Sequence, residues 1–184
     1  MYNLEDALVV AQWLNVFLRK CDVLKIACLA QIVNIIAPML TTTDSLLKQS
    51  TFYPLQFVST HAAGAALDVL AQSPVHASKK YGDVPLLDVS ASFDAATGKH
   101  AVFVVNRSRT QAVPAEVVWQ AAAPDRISTV YRLAGSDPKA ANSFEQPDVL
   151  APATLPGMAV VDKKVTLTLP PLSFTGLVGA SARR

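Results

Sequence analysis

Leu87-Asp88-Val89-Ser90-Ala91-Ser92-Phe93, a turn-rich Asp94-Ala95-Ala96-Thr97-Gly98-Lys99, and then Ala101, Phe103 and Val105 alternating on the return: this stretch decides the fold of most of the chain. Successive side chains of a strand point to opposite faces, so a period of two with a Gly-containing turn between two such runs reads as a β-hairpin. Further alternating runs at 113–119, 127–133, 165–169 and 172–178 are separated by Pro, Gly, Asp and Asn. Several short strands at this spacing predict an antiparallel β-sandwich, with Leu87, Val89, Phe93, Phe103, Val105, Val117, Tyr131, Leu167 and Phe174 as its core.

Toward the N-terminus the period changes. Leu4, Ala7, Leu8, Ala11, Leu14 and Leu18 fall three and four apart, Asn3 stands where an N-cap belongs, and Glu5 and Asp6 suit the positive end of a helix dipole. A helix over residues 4–20 follows. Val9, Val10, Trp13 and Phe17 widen its apolar face, which predicts burial on more than one side. Residues 23–30, Val-Leu-Lys-Ile-Ala-Cys-Leu-Ala, form a near-continuous apolar run of strand length, the pattern of a strand covered on both faces in a parallel α/β sheet. Residues 41–48 read as a loop and 51–63 as a second helix, with Pro54 in its first turn and Gly64 as its stop. The boundary between the two patterns lies near Gly64.

Composition narrows the function. Only 16% of the 184 residues are charged, against roughly 25% in an average globular protein. The net charge of +2 is scattered and forms no basic stripe, which argues against a nucleic-acid partner. Cys21 and Cys28 have no Cys/His cluster around them and read as buried free thiols. His61, His76 and His100 are far apart, so neither a triad nor a metal site is expected, and no cofactor is implied. Lys25, Gln31 and Asn34 interrupt the apolar run, which excludes a membrane span, and the acidic start lacks the features of a signal peptide. A cytoplasmic chain without a membrane partner is the expectation. Trp13 and Trp119 are assigned to core packing.

Several motifs carry a family likeness. Tyr2-Asn3-Leu4-Glu5-Asp6-Ala7-Leu8, the segment from Lys25 to Pro38, Thr51-Phe52-Tyr53-Pro54, Phe103-Val104-Val105-Asn106-Arg107, Asn142-Ser143-Phe144-Glu145 and Leu169-Pro170-Pro171-Leu172-Ser173-Phe174 occur in this order. Together they resemble the C-terminal part of the family 51 α-L-arabinofuranosidases. The resemblance implies an α/β plus all-β chain: residues 1–64 would be the last unit of a TIM (β/α) barrel, and residues 65–184 a jelly-roll-like antiparallel sandwich. It implies membership in a retaining hydrolase that releases terminal α-L-arabinofuranosyl groups from arabinose-containing oligosaccharides or polysaccharides and assembles as a homo-oligomer. The two glutamates that perform that chemistry, about 5 Å apart in retaining enzymes, would belong to earlier barrel strands, so this chain alone would be inactive.

Gln31 is the candidate substrate-binding residue. It follows the predicted strand at its carboxyl end, where barrel enzymes build their sites, and an amide both donates to and accepts from a sugar hydroxyl. From its residues alone it reads as a hydrogen-bonded structural glutamine; the resemblance makes it a contact to the arabinose ring. Asn34 is a second pocket candidate, set against an Asn that stabilises its own turn. Glu5 reads as a dipole partner rather than a catalyst. A stand-alone carbohydrate-binding or assembly module is the alternative function, disfavoured by a 7% aromatic content with no clustering.

Overall fold

The computed structural model describes residues 1–181; the end of the expected 65–184 domain, residues 182–184, lies outside the described residues. Helix α1 (Leu4–Arg19) starts on a reciprocal cap, in which the Asn3 side chain accepts from the Asp6 amide and the Asp6 carboxylate accepts from the Asn3 amide. Its buried face is Leu4, Ala7, Leu8, Ala11 and Asn15. A hairpin of β1 (Met39–Thr41) and β2 (Leu46–Lys48) follows, then α2 (Phe52–His61). Gly64, at φ +74°, turns the chain out of α2; a Cβ there would lie 2.2 Å from the Phe93 carbonyl oxygen.

The remaining chain is antiparallel sheet. Its strands are β3 (Ala65–Ala66), β4 (Val75–Ser78), β5 (Gly82–Pro85), β6 (Leu87–Asp94), β7 (Lys99–Asn106), β8 (Val113–Val118), β9 (Arg126–Ala134), β10 (Ala153–Leu155), β11 (Met158–Ala159), β12 (Lys164–Leu169) and β13 (Ser173–Ala180). The main sheet runs β10-β9-β13-β7-β6-β3, with β11 also on β9; β8 pairs with β12, and β4 with β5, in separate two-stranded sheets.

Period-two alternation divides the main sheet between two cores. Ala101, Phe103 and Val105 of β7, with Tyr131, Leu133, Phe174 and Val178, face the two helices. Val102 and Val104, with Ile127, Val130 and Leu177, face the β8–β12 layer, where Val113, Val165 and Leu169 are buried. Phe57 of α2 stacks on Tyr131 at 4.3 Å and meets Phe103 and Phe174 edge-on. Gly176 makes room for it, since a Cβ there would stand 2.0 Å from the Phe57 ring. Aromatic contacts of this kind add about 0.5–1.5 kcal/mol each beyond the area they bury.

The sandwich strands and both helices agree with the sequence reading, and of the expected core Phe103, Val105, Tyr131, Leu87 and Phe174 are buried. Val89, Val117 and Leu167 are half-buried against the second core. Phe93 is half-buried and tilts against His100 at 4.5 Å.

Four expectations are corrected. Residues 23–30 form no strand: the segment is irregular, every residue but Leu24 is exposed, and Val23 and Ile26 are 75% and 80% exposed. No neighbouring strand offers it a backbone ladder, and apolar side chains alone do not hold an extended segment in place. Cys28 and Cys21 are therefore exposed rather than buried. Trp13 is 58% exposed because α1 is covered on one side only. Residues 41–48 are largely the β1–β2 hairpin rather than a loop.

Candidate functional site

The sequence placed the site at Gln31 and Asn34, on the segment that links α1 to the β1–β2 hairpin. The anchors of this segment are at its two ends. Lys20 accepts from the amides of Val23 and Leu24 through its carbonyl. At the far end, Tyr2 Oη donates to the Ile36 carbonyl at 2.7 Å, and the buried Gln49 side chain donates to the Ala37 carbonyl while accepting from the Tyr2 amide. Between these anchors the chain is held by few contacts.

Asn34 is a turn residue. At φ 62° it occupies the left-handed region that Asn tolerates, its Oδ1 accepts from the Thr41 amide at 2.8 Å, and its Nδ2 donates to Thr41 Oγ1 at 3.0 Å. Its amide also donates to the Met39 carbonyl. Both ends of its side chain are thus engaged within its own turn. Gln31 is different: it is exposed and its side-chain amide has no hydrogen-bond partner among the described residues. It is a free donor–acceptor pair flanked by Ile32, Ile35 and Ile36, which are 56%, 80% and 59% exposed.

The three glutamates stand apart, each with its own engagement. Glu5 pairs with Lys139, Glu116 with Lys164, and the Glu145 carboxyl is lowered by a hydrogen bond from Ser143. The Glu5 carboxyl lies below its ordinary value chiefly through the Lys139 hydrogen bond, then through that residue's charge. A lowered carboxylate on an open surface suits an ion pair, not a general acid, which needs a raised value.

The histidines are likewise separate. His61 lies 4.4 Å from the Phe57 ring, while His100, 2% exposed, sits between Phe93 and Trp119 with both ring nitrogens unpartnered. Burial pushes both imidazoles below their ordinary value, with the Lys99 charge adding to the shift at His61. Trp119 is buried in the core as the sequence suggested.

One polar constellation escaped the sequence reading. Asn15, fully buried in the middle of α1, donates to the Asp88 carbonyl and to its carboxylate at 2.9 Å and accepts from Ser90 Oγ at 2.6 Å. Arg19 donates to the same carboxylate at 2.9 Å and to the Val89 carbonyl. The signal was present in the alternation itself: Asp88, Ser90 and Ser92 are the polar phase of β6, and that phase faces the helices. Asn106 and Asn142 are buried asparagine ties of the same kind. Asn106 donates to the carbonyls of Gln111, Leu169 and Pro170, and Asn142 bridges Lys48 and Leu150.

Known proteins share this architecture. The family model described as the α-L-arabinofuranosidase C-terminal domain matches residues 1–173. The chain is 36% identical over 177 residues to an intracellular exo-α-(1→5)-L-arabinofuranosidase of Streptomyces lividans, covering 96% of this chain but 27% of that protein. A protein described in the same words from Bacillus subtilis is 31% identical over 95% of this chain and 35% of its own length. Among solved structures, a family 51 α-L-arabinofuranosidase from Bifidobacterium longum superposes with a TM-score of 0.90 at 28% identity, over 97% of this chain and 35% of that one. The chain therefore spans about a quarter to a third of the length of these relatives. No helix among the described residues is long and apolar enough to cross a membrane.

Proposed function

Because the chain belongs to the α-L-arabinofuranosidase C-terminal domain family, we propose that it serves as the C-terminal part of an intracellular retaining α-L-arabinofuranosidase acting on arabinose-containing glycans. In this reading residues 65–184 are the sandwich that buttresses a catalytic barrel, and residues 1–64 carry the barrel's seventh helix, its eighth strand and part of its closing helix. The catalytic carboxylates are supplied by sequence outside these 184 residues, and the assembled enzyme is a homo-oligomer.

The observation that carries the proposal is the apolar segment 23–36, which stands uncovered in a chain that spans 27% of the length of a relative. Seven of its apolar side chains, Val23, Ile26, Leu29, Ile32, Val33, Ile35 and Ile36, are between 39% and 80% exposed. Burying each such side chain is worth about 1.5–3 kcal/mol, so a barrel closing over them gains substantially from their composition. The outer face of α1 is uncovered as well, with Val9, Trp13 and Val16 exposed. Residues 23–30 then become the parallel strand that their composition suggests, and Gln31 at its carboxyl end meets the sugar.

Two assays test the proposal. The purified 184-residue chain is expected to leave an aryl α-L-arabinofuranoside intact, whereas a longer protein carrying it behind a complete barrel turns the substrate over. In that longer protein Gln31→Ala is expected to cost about 1–3 kcal/mol in kcat/KM through loss of one buried polar contact. Turnover by the short chain that disappears with Glu5→Gln contradicts the reading, and unchanged kcat/KM in the Gln31 variant removes Gln31 from the site.

A further inference from the structure

An open cleft of about 450 Å³ lies between the first turns of α1, the turn after β7 and the loop at Pro138. Three cations and one carboxylate line it: Arg107, Arg109, Lys139 and Glu5. The loop that forms its rim is a built feature, because the Leu4 and Glu5 amides donate to the carbonyls of Ala140 and Pro138. The helix start and the rim therefore hold one another in register.

The charges differ in how far they are satisfied. Lys139 and Glu5 form an ion pair and largely offset each other. Arg107 is fixed by donating to Gln12 Oε1 at 3.3 Å and to the Pro85 carbonyl, and its buried Nε lacks an acceptor. Arg109 is exposed and has no hydrogen bond or ion pair among the described residues. Its charge nevertheless bears on the pair beside it, helping Lys139 to lower the Glu5 carboxyl and opposing the rise that Glu5 causes at Lys139. Val9, 45% exposed, and Pro138 add apolar surface to the lining, together with the largely buried Leu8 and Leu172.

We propose that this cleft binds a small organic oxyanion, a sugar acid or sugar phosphate, with Arg109 taking the anionic group and Lys139 and Arg107 supporting it. A guanidinium offers paired donors in a plane that match the two oxygens of a carboxylate or phosphate. The apolar lining distinguishes an anion carried on a carbon skeleton from an inorganic ion. The site is separate from Gln31, and the proposal does not rest on the arabinofuranosidase reading.

Calorimetric titration of the 184-residue chain with inorganic phosphate, D-galacturonate, glucose 1-phosphate and neutral L-arabinose tests it. At least one of the organic anions is expected to bind with a millimolar Kd, more tightly than inorganic phosphate, and arabinose not at all. Arg109→Ala, on the surface and clear of both cores, is expected to weaken binding about tenfold. Glu5→Gln releases Lys139 and removes the competing carboxylate, so it is expected to strengthen binding, an effect that damage to the fold does not produce. Whichever of galacturonate and glucose 1-phosphate binds more tightly identifies the source of the oxyanion. Absence of binding by both organic anions, binding unchanged in Arg109→Ala, or equal binding of arabinose overturns the proposal.

Discussion

Two eight-residue runs in this molecule have nearly the same apolar character and opposite fates. Strand β7, Lys-His-Ala-Val-Phe-Val-Val-Asn, is buried at every position but the first, hydrogen-bonded on both sides to β6 and β13 and covered on both faces. Residues 23–30, Val-Leu-Lys-Ile-Ala-Cys-Leu-Ala, form no strand and are exposed at all but one position. The difference lies in what is supplied around them. β7 has one antiparallel neighbour, β6, across a short turn, and a hairpin closes over such a loop at small entropic cost; its other neighbour, β13, comes from the far end of the same chain. A parallel strand needs partners delivered by long crossovers, and the described residues contain none.

The largest effect separating the two regions is expected from truncation. Phe103, fully buried between α2 and the sheet, is expected to cost about 3–5 kcal/mol on replacement by Ala, read as a lower urea midpoint at unchanged slope. If Ile26→Ala costs as much, the two runs are equally embedded and the comparison breaks.

A smaller loss is expected at the seam between α1 and the sheet. Asn15→Ala removes the bonds to Asp88 and Ser90 in a buried site, at a cost of about 1–3 kcal/mol. Loss of Ser90 Oγ in the same background is expected to add less than it does alone, because the partners are shared. Full additivity in that double-mutant cycle contradicts the network.

The buried core also makes stability depend on pH. Burial lowers the His100 imidazole in the folded chain, while the unfolded chain titrates near the ordinary value of about 6.5. Between the two values the unfolded state binds the additional proton, so stability rises with pH across this window. The contribution is complete above about 6.5 and is lost as pH falls through the folded value. Urea midpoints are expected to drop on acidification through this range in the native chain and to drop less in His100→Phe, whereas an equal drop in both places the titration elsewhere.

Surface changes in 23–36 should be smallest of all. Ile26→Ser is expected to shift stability by no more than about 0.5 kcal/mol in the 184-residue chain. Cys21 and Cys28, both exposed, are expected to react with a thiol reagent as fast before unfolding as after it. Slow reaction of Cys28 in the native chain indicates a cover.

How much was legible in the sequence follows the same division. The capped start of α1, the β6–β7 hairpin, the later strands and the stop at Gly64 are encoded by neighbours in sequence, and all were readable. The exposure of Trp13 and of both cysteines was not, because it depends on which elements are available to pack rather than on local pattern. The pairing of Asn15 with Asp88 and Ser90 spans more than seventy residues and joins the polar phase of a strand to a helix interior, which periodicity alone does not connect. Of the site residues, Asn34 reads correctly as a turn former. Gln31, which from its residues alone reads as a hydrogen-bonded structural glutamine, makes no hydrogen bond among the described residues.

Hydrogen exchange across the whole chain reads the two runs side by side. Amides of residues 23–30 are expected to exchange at nearly unprotected rates in the isolated chain while those of β7 exchange at the rate of global unfolding, and the first group is expected to become protected when a barrel precedes it. Strong protection of residues 23–30 in a monodisperse 184-residue monomer would contradict that expectation.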